Sequence, residues 1–492
     1  MDILKNVKTL LQKYENNNVV LKKLRNHMQT QLPKLLDSYD KKIKMRELIT
    51  TGSNEYIVNF MNKHVFFYIS NTFIFYDNKH YQIISEDDIW SKILDDISYR
   101  YPNLKRRKYQ IKNSIIRRIK ENSLVGSIPE SFTVQFVLDH IFPTLFDSRN
   151  LAKYFLTVLG DNILKKGKTL SHFINKDAKK FIDYINDAIQ SFCKVSACRS
   201  FKYKYRDHKY SLCRVLQCNR SIKRRACWNK FIRNYILDII VVACHYSERF
   251  KDSDGFLKKM KDPSLRKNVL FFKRKTKKDV VKGFLNKFIF HKKNESISLN
   301  NMLFLWKVYC YRERIPVLMY KDDVKTIIEN LHNCKGGDFL DMSSPILKHK
   351  TRFLLFWDEC ITKDNNNIYE ISEISNIFTD WGGKGTSIAE DMIIFILRHF
   401  FPKITIVKGR YILNIKCLIW DKKKDILSIL EDLKMKYSFL NENISFINIY
   451  QDYCKCTDKY TCSKEYFEQI LIDCIPNKYL HEQSVKSNFW NQ

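Results

Sequence analysis

Asp207 and His208, in FKYKYRDHKYSLCR (Phe201 to Arg214), are the neighbouring polar residues best suited to chemistry. A carboxylate beside an imidazole can orient it as a base or help hold a metal-bound water. Hydrolysis would need further carboxylates, and Asp238 and Glu248 have no spacing that forces them to converge on the pair. Gly167-Lys168-Thr169 matches the tail of a phosphate-binding loop, in which glycines let backbone N–H groups face phosphate. The glycine that such a loop needs five residues earlier is Asn162. FLLFWDE (Phe353 to Glu359) has the form of an apolar strand ending in the acidic pair that holds Mg²⁺, but it lies far from Lys168 in the chain. The alternative at both places is a helix end and a buried strand or helix. The chain is therefore expected not to work as an ATPase.

The cysteines offer metal-ligand chemistry at the margin. Cys193 and Cys198, with Cys213 and Cys218, flank His208, while Cys454, Cys456 and Cys462 precede Cys474 and His481. Structural zinc takes cysteine pairs about two to four residues apart, so the first cluster is marginal and Cys-x-Cys is too tight. The expectation is no metal and no other cofactor; if one set binds zinc, it is Cys193, Cys198, His208, Cys213 and Cys218.

The remaining chemistry is phosphate recognition. Residues 101–120 hold eight Lys or Arg and no acid. In LKRRKYQIKNSIIRRIK (Leu104 to Lys120), helical spacing gathers Ile111, Ile115 and Ile119 on one side. It is expected to set Arg106, Arg107, Arg117, Arg118 and Lys120 opposite, with Lys105 alongside, as a cationic ridge for phosphates. In the 201–214 segment Tyr203, Tyr205 and Tyr210 alternate with Lys202, Lys204, Arg206 and Lys209. Such alternation gives a strand with aromatics on one face and cations on the other, or a surface where bases stack and phosphates pair. The bland alternative is a half-buried strand with its tyrosines in the core.

The elements that position these residues follow from periodicity. Two or three helices cover 1–50, and VFFYIS, TFIFYD and HYQIIS form a three-stranded aromatic meander before a helix capped by Ser85 and Asp88. From Ile368 to Trp420 the order is helix, turn, helix and hairpin. Ile371, Ile374, Phe378 and Trp381 mark the first helix, and Gly382, Gly383 and Gly385 break it. Ser387 and Glu390 box the second helix, and Lys408-Gly409 turns the hairpin as a two-residue loop before Arg410. This is the layout of a winged helix, whose wing would offer Lys408 and Arg410 to nucleic acid. Met392 to Leu397 are apolar nearly all round, which suits docking better than reading bases.

The chain is therefore expected to be α+β, predominantly helical and multidomain, with a small N-terminal β-meander and a C-terminal winged-helix-like module. The expected domains are 1–100, 101–250 (basic, mainly helical), a charged linker at 251–298, 299–421, and 422–492 with helices and a Cys-bearing tail. No internal repeat of solenoid type is visible. The composition of 86 Lys and Arg against 53 Asp and Glu, net +33, makes the chain seek polyanions, nucleic acid first. No apolar run approaches the roughly 20 residues of a membrane span. The cysteines are expected to be reduced thiols.

QLPKLL (Gln31 to Leu36), FFYISNTFIFYDNKHYQIISEDDI (Phe66 to Ile89), SIPESFTVQFVLDHIFPTLF (Ser127 to Phe146), KYFLTVLGDNILKK (Lys153 to Lys166), YKYRDHKYSLCR, RNYILDIIVVACHYS (Arg233 to Ser247) and LFWDEC (Leu355 to Cys360) carry a further signal. In these blocks, which span most of its length, the chain resembles an uncharacterised protein family of nucleocytoplasmic large DNA viruses, the mimivirus-like ones above all. The resemblance implies a viral protein of host-cytoplasmic virus factories or of the virion, and it implies no activity. The chain also resembles the non-catalytic flanks of poxvirus-type primase-helicases, with the motor missing between them. The expected function is a non-catalytic nucleic-acid-binding accessory protein in replication or transcription, with nucleic acid and viral replication or transcription proteins as partners. The alternatives are a structural or packaged virion protein and a degenerate NTPase or primase-helicase-like enzyme.

Overall fold

In the computed structural model the chain is mostly helical, and its described residues form five small three-stranded sheets. The structure describes all residues except 1, 168, 176–177, 220–224, 333, 384–386, 441, 458 and 492. Lys168 of the phosphate-loop reading and Gly385 of the helix break lie outside the described residues. The chain divides into two units, 1–204 with 208–274, and 205–207 with 275–492.

The first unit begins with α1 (Asp2–Lys13), α2 (Asn18–Asn26) and α3 (Leu32–Lys63). Then come β1 (Val65–Ile69), β2 (Thr72–Tyr76) and β3 (Tyr81–Ile84), paired antiparallel in that order, and α4 (Glu86–Arg100) behind a Ser85–Asp88 capping box. Strand alternation splits the aromatic residues of this sheet between two cores. Phe66, with Tyr68, Phe73, Phe75 and Ile84, faces a core built from α3, α4 and α5 (Lys108–Glu121). Phe67, Ile74, Tyr76 and Tyr81 face the second core. That core is made by α6 (Ser131–Ile141), α7 (Arg149–Ile163), α8 (Lys179–Cys193) and α9 (Arg225–Phe250), with α10 (Ser253–Lys259) and α11 (Pro263–Val269). It also holds a parallel sheet of β5 (Phe201–Lys202), β4 (Ser171–Ile174) and β6 (Cys213–Leu216), with β4 in the middle.

Polar ties fix this core. Asp238, fully buried on α9, accepts from His80 Nδ1 (2.7 Å) and from the Tyr81 backbone N–H (2.8 Å). Arg214 on β6, also buried, makes a two-pronged bond to Asp254 at 2.9 and 2.8 Å. Helices α7 and α9 meet at Gly160, where an added Cβ would stand 2.1 Å from the carbonyl oxygen of Ala243. Only glycine fits that approach.

In the second unit one order of elements occurs three times: helix, strand, helix, helix, strand, strand. The first copy is α12 (Lys277–Phe288), β7 (Phe290–Ser298), α13 (Leu299–Arg312), α14 (Lys321–Glu329), β8 (Cys334–Lys335) and β9 (Asp338–Ser343). The second is α15 (Pro345–Cys360), β10 (Ile361–Glu370), α16 (Ile371–Gly382), α17 (Glu390–Phe400), β11 (Ile406–Val407) and β12 (Tyr411–Cys417). The third is α18 (Lys422–Tyr437), β13 (Ile444–Ser445), α19 (Phe446–Cys456), α20 (Lys464–Cys474), β14 (Leu480–His481) and β15 (Ser484–Val485), followed by α21 (Ser487–Trp490). In every copy the last strand lies between the other two.

The side chains repeat as well. Eight residues past the N-caps Ser298, Glu370 and Ser445 stand the buried rings of Trp306, Phe378 and Tyr453; four past them stand Met302, Ile374 and Ile449. The fourth and eighth residues of each third helix are also buried: Val324 and Ile328, Ile393 and Leu397, Phe467 and Leu471.

A buried ion pair joins the second and third copies. Lys422 Nζ lies 2.5 Å from Glu373 Oε2 and donates to the Ile368 carbonyl at 3.0 Å. The rings of Tyr369 and Tyr466 lie 4.5 and 4.4 Å from the ammonium. Glu373 also accepts the backbone N–H of Glu370 and of Ser463. Burial lowers the Lys422 pKa and raises that of Glu373, and each partner's charge opposes the effect on the other.

Several expectations need correction. The 251–298 stretch is no linker: it contains α10, α11, α12 and β7, and the boundary falls at 274/275. The expected boundary at 299 cuts the first repeat, which begins at Lys277, whereas 421/422 falls between the second and third copies, and a repeat is present where none was visible. The 101–250 region carries a parallel sheet besides its helices. Helix α17 starts at Glu390 after Ala389, without the Ser387 box. The β11–β12 loop has three residues, Lys408 to Arg410, because Val407 pairs with Tyr411. FLLFWDE ends helix α15 and is not a strand.

Two stability outcomes follow. Gly160→Ala should cost about 1–3 kcal/mol through overpacking at the α7–α9 crossing, read by denaturant titration. Lys422→Ala strands a buried carboxylate and should cost about 3–5 kcal/mol, whereas Lys422→Met combined with Glu373→Leu should recover most of that loss.

Candidate nucleic-acid interface

Helix α5 exists because its isoleucines have a core to enter. Ile111, Ile115, Ile116 and Ile119 are buried against Tyr56, Phe60, Phe66 and the isoleucines of α4. Cations share the outward positions with Tyr109, Gln110, Asn113 and Ser114. Lys105, Arg106, Arg117, Arg118 and Lys120 are exposed, and Arg107 is half-buried with its guanidinium donating to Thr50 Oγ1 at 2.8 Å.

The ridge differs from expectation in two ways. Lys105, Arg106 and Arg107 belong to a 3₁₀ turn, Pro102–Arg107, ahead of the helix, so their directions do not follow its periodicity. Arg118 stands seven residues after Ile111, at the flank of the buried stripe and not opposite it. The acid-free stretch also acquires acidic neighbours. Arg117 pairs with Glu121 at 3.3 Å, and Lys112 with Glu86 at 2.8 Å. The first of these pairs is open to water and worth little. Among the described residues, no carboxylate comes within ion-pair distance of Lys105, Arg106, Arg118 or Lys120.

Aromatic rings that the sequence pattern assigned to structure alone stand beside these cations. Trp90 of α4 stacks on Tyr109 of α5, centroids 5.4 Å apart, with Lys112 over Trp90 and Lys108 over Tyr109. Tyr109 is 63% exposed, so one ring of the stack is open to a ligand. At the other end of α5, Lys120 lies 5.8 Å from the rings of both Tyr68 and Phe73, and Lys92 lies over Phe75. Cations thus alternate with rings along α4, α5 and the adjoining sheet face. The signal was in the sequence: in β1 and β2 every second residue, Phe66, Tyr68, Phe73 and Phe75, is aromatic on the face that α5 covers.

The 201–214 segment does not form the expected strand. Only its ends are extended in the sheet, Phe201 and Lys202 in β5 and Cys213 and Arg214 in β6. Tyr203 turns inward toward the first unit's core beneath Lys179, and burial raises its pKa. Tyr205 packs edge-on against Tyr320 within the second unit, 5.5 Å between centroids, with Lys277 over its ring. Tyr210 meets Phe272 edge-on, and His208 meets Phe173. Tyr203 and Tyr210 have different partners in the first unit, and Tyr205 belongs to the second. Lys204 and Arg206 are exposed, and Lys202 is half-buried.

The zinc set is not gathered either. Burial pushes the thiols of Cys193 and Cys213 up to about 11, and those of Cys198 and Cys218 up to about 12. Zinc binds thiolates, whose pKa it needs lowered. Cys198 and Cys213 donate to the carbonyls of Ile182 and Lys209. Among the described residues, no three His, Cys, Asp or Glu side chains converge on a metal position. On the hairpin, Lys408 is exposed and Arg410 is held by the buried Glu370 at 2.9 Å.

Charge separates the units. Residues 1–274 hold 53 Lys and Arg against 26 Asp and Glu, and residues 275–492 hold 33 against 27. The field that attracts a polyanion therefore originates mainly in the first unit. The chain matches no protein-family model, no curated protein and no solved structure.

Changing Arg106, Arg107, Arg117 and Arg118 to Gln should weaken nucleic-acid binding equally across sequences. The slope of log K against log salt should fall by roughly 0.9 for each duplex phosphate that the variant no longer neutralises. An unchanged slope in a variant with the parent's circular dichroism would remove α5 from the binding surface.

Proposed function

We propose that the chain is a non-catalytic nucleic-acid-binding accessory protein of a large DNA virus, acting in replication or transcription in the cytoplasmic virus factory. The observation that carries this reading is the array of cations and rings along α4 and α5, with Tyr109 open to solvent, in the unit that holds most of the positive charge. Rings accept bases and cations accept phosphates without regard to sequence, so the binding is sequence-tolerant.

The three repeats read best as tandem winged helices, and β1–β3 as a meander. The usual reading helix of a winged helix is its third. Here the third helices open with Asp322 and Asp323, with Glu390 and Asp391, and with Glu465. Phosphate repels these acids. Helix α17 is further occupied by α13, through Phe395 on Tyr311 and Asp391 on the Tyr311 hydroxyl. These features favour a division of labour in which the first unit holds nucleic acid and the repeats dock to replication or transcription proteins. A packaged virion protein remains the second reading, favoured by the net charge of +33 alone. The NTPase reading loses support, since Asn162 sits inside α7 with its amide bound to the Ala197 carbonyl and Ser200 Oγ.

The full chain should bind single strands and duplexes of unrelated sequence with a steep salt dependence, measured by fluorescence anisotropy from low to physiological salt. It should not hydrolyse ATP with or without DNA. Turnover that disappears in Lys168→Ala would overturn the non-catalytic reading.

A further inference from the structure

The seam between the first two repeats gathers positive charge, and the acids Asp322 and Asp323 follow Lys321 on α14. Lys307 of α13 is half-buried, and its ammonium lies 3.0 Å from His399 Nδ1 on α17. His399 Nε2 lies 2.8 Å from Asn300 Oδ1 and 3.1 Å from the Asn300 carbonyl oxygen. These acceptors set the tautomer: Nε2 carries the proton and donates to Asn300, and Nδ1 accepts from Lys307. Lys350 of α15 is 7% exposed, donates to Asn301 Oδ1 at 3.1 Å and lies 5.0 Å from the Phe400 ring. Lys321, the exposed first residue of α14, adds its field to Lys307 and His399.

Burial and these three lysines hold His399 down at about 4. Burial also lowers Lys307, with Lys321, and lowers Lys350 by itself. Among the described residues, no carboxylate pairs with Lys307, Lys321 or Lys350. Asp323 is committed to Lys277 at 2.6 Å. Asp391 is bonded to Tyr311 and stands two turns along α17 from His399, about 12 Å by the helical rise. A buried cation usually has a counter-charge, because desolvation is otherwise uncompensated. Two lysines withdrawn from water around a neutral imidazole therefore form half of an ion-binding arrangement.

We infer that the seam of α13, α15 and α17 binds a phosphate group, with Lys307 and Lys350 as its principal ligands and Lys321 at its mouth. A phosphate brings charge and several acceptor oxygens, and the Lys307 ammonium keeps N–H groups beyond the one turned to His399. The inference does not rest on the α5 reading: the phosphate can come from a nucleic-acid backbone or be free in solution.

The test is thermal unfolding of the full chain in chloride and in inorganic phosphate at matched ionic strength and neutral pH. Saturating phosphate should raise the midpoint by about 5 °C. Lys307→Met should raise the midpoint in chloride, because it relieves repulsion, and should abolish the phosphate response. A purely structural lysine predicts the opposite sign in chloride. If Lys307→Met does not fold, Lys321→Gln, at an exposed position, should still shrink the response measurably. Phosphate raises the midpoints of many proteins by exclusion from their surfaces, so a rise that persists unchanged in these variants overturns the proposal. So does a wild-type midpoint that is equal in the two salts. A short oligonucleotide, tested in the Arg106, Arg107, Arg117 and Arg118→Gln background, identifies the source. Protection above that given by inorganic phosphate assigns the site to a nucleic-acid backbone; equal protection assigns it to a free phosphate. The phosphate response should survive in that background, so failure at α5 and failure at the seam are separable.

Discussion

The first unit depends on a sheet that is buried on both faces. Two-sided burial is unusual for three short antiparallel strands, which ordinarily leave one face to water. Here Phe66 and Phe67 point into different cores, and each core needs its own helices. Helix α5 has no freedom in this arrangement. Its isoleucines must cover one face of the sheet, so Arg117 and Lys120 are left in solvent and Lys120 falls beside Tyr68 and Phe73. The candidate interface is the reverse side of a packing requirement.

The repeats solve a different problem with one plan. Each copy buries an aromatic ring at the same position of its second helix, yet the seams between copies are chemically unlike. The second seam closes around one fully compensated ion pair, Lys422 with Glu373, wrapped in rings. The first collects Lys307, Lys350 and His399 with only amide and carbonyl partners. Equivalent folds brought together in series thus produce one seam that is electrostatically finished and one that is not.

What the sequence disclosed depended on the length and regularity of the pattern. The strands of the first sheet, the capped helix α4, the apolar side of α5 and the order of elements around 368–420 were all legible, because each rests on local periodicity. The tyrosine alternation at 201–214 misled, since the period of two was real but the chain leaves its sheet after Lys202 to add three residues to another unit. The repeat is not legible in the sequence because its copies share spacing and not residue identity: Trp306, Phe378 and Tyr453 are equivalent positions with different side chains. The Trp90–Tyr109 stack, and the lysine seam, come from residues distant in sequence, which no one-dimensional pattern brings together.

The three residues that the second unit takes from the middle of the first bear on how the array begins. Helices α17 and α20 each meet the repeat before them, but α14 belongs to the first copy and has none. Tyr205 and Asp207 stand there instead, with Tyr205 on Tyr320 and Asp207 3.8 Å from Lys277. These contacts are encoded some seventy residues upstream of the array they join. On the ribosome this segment emerges before any part of its target. The first repeat makes these contacts with chain already synthesised, so residues 205–207 wait for α12 and α14 to emerge before they have these partners.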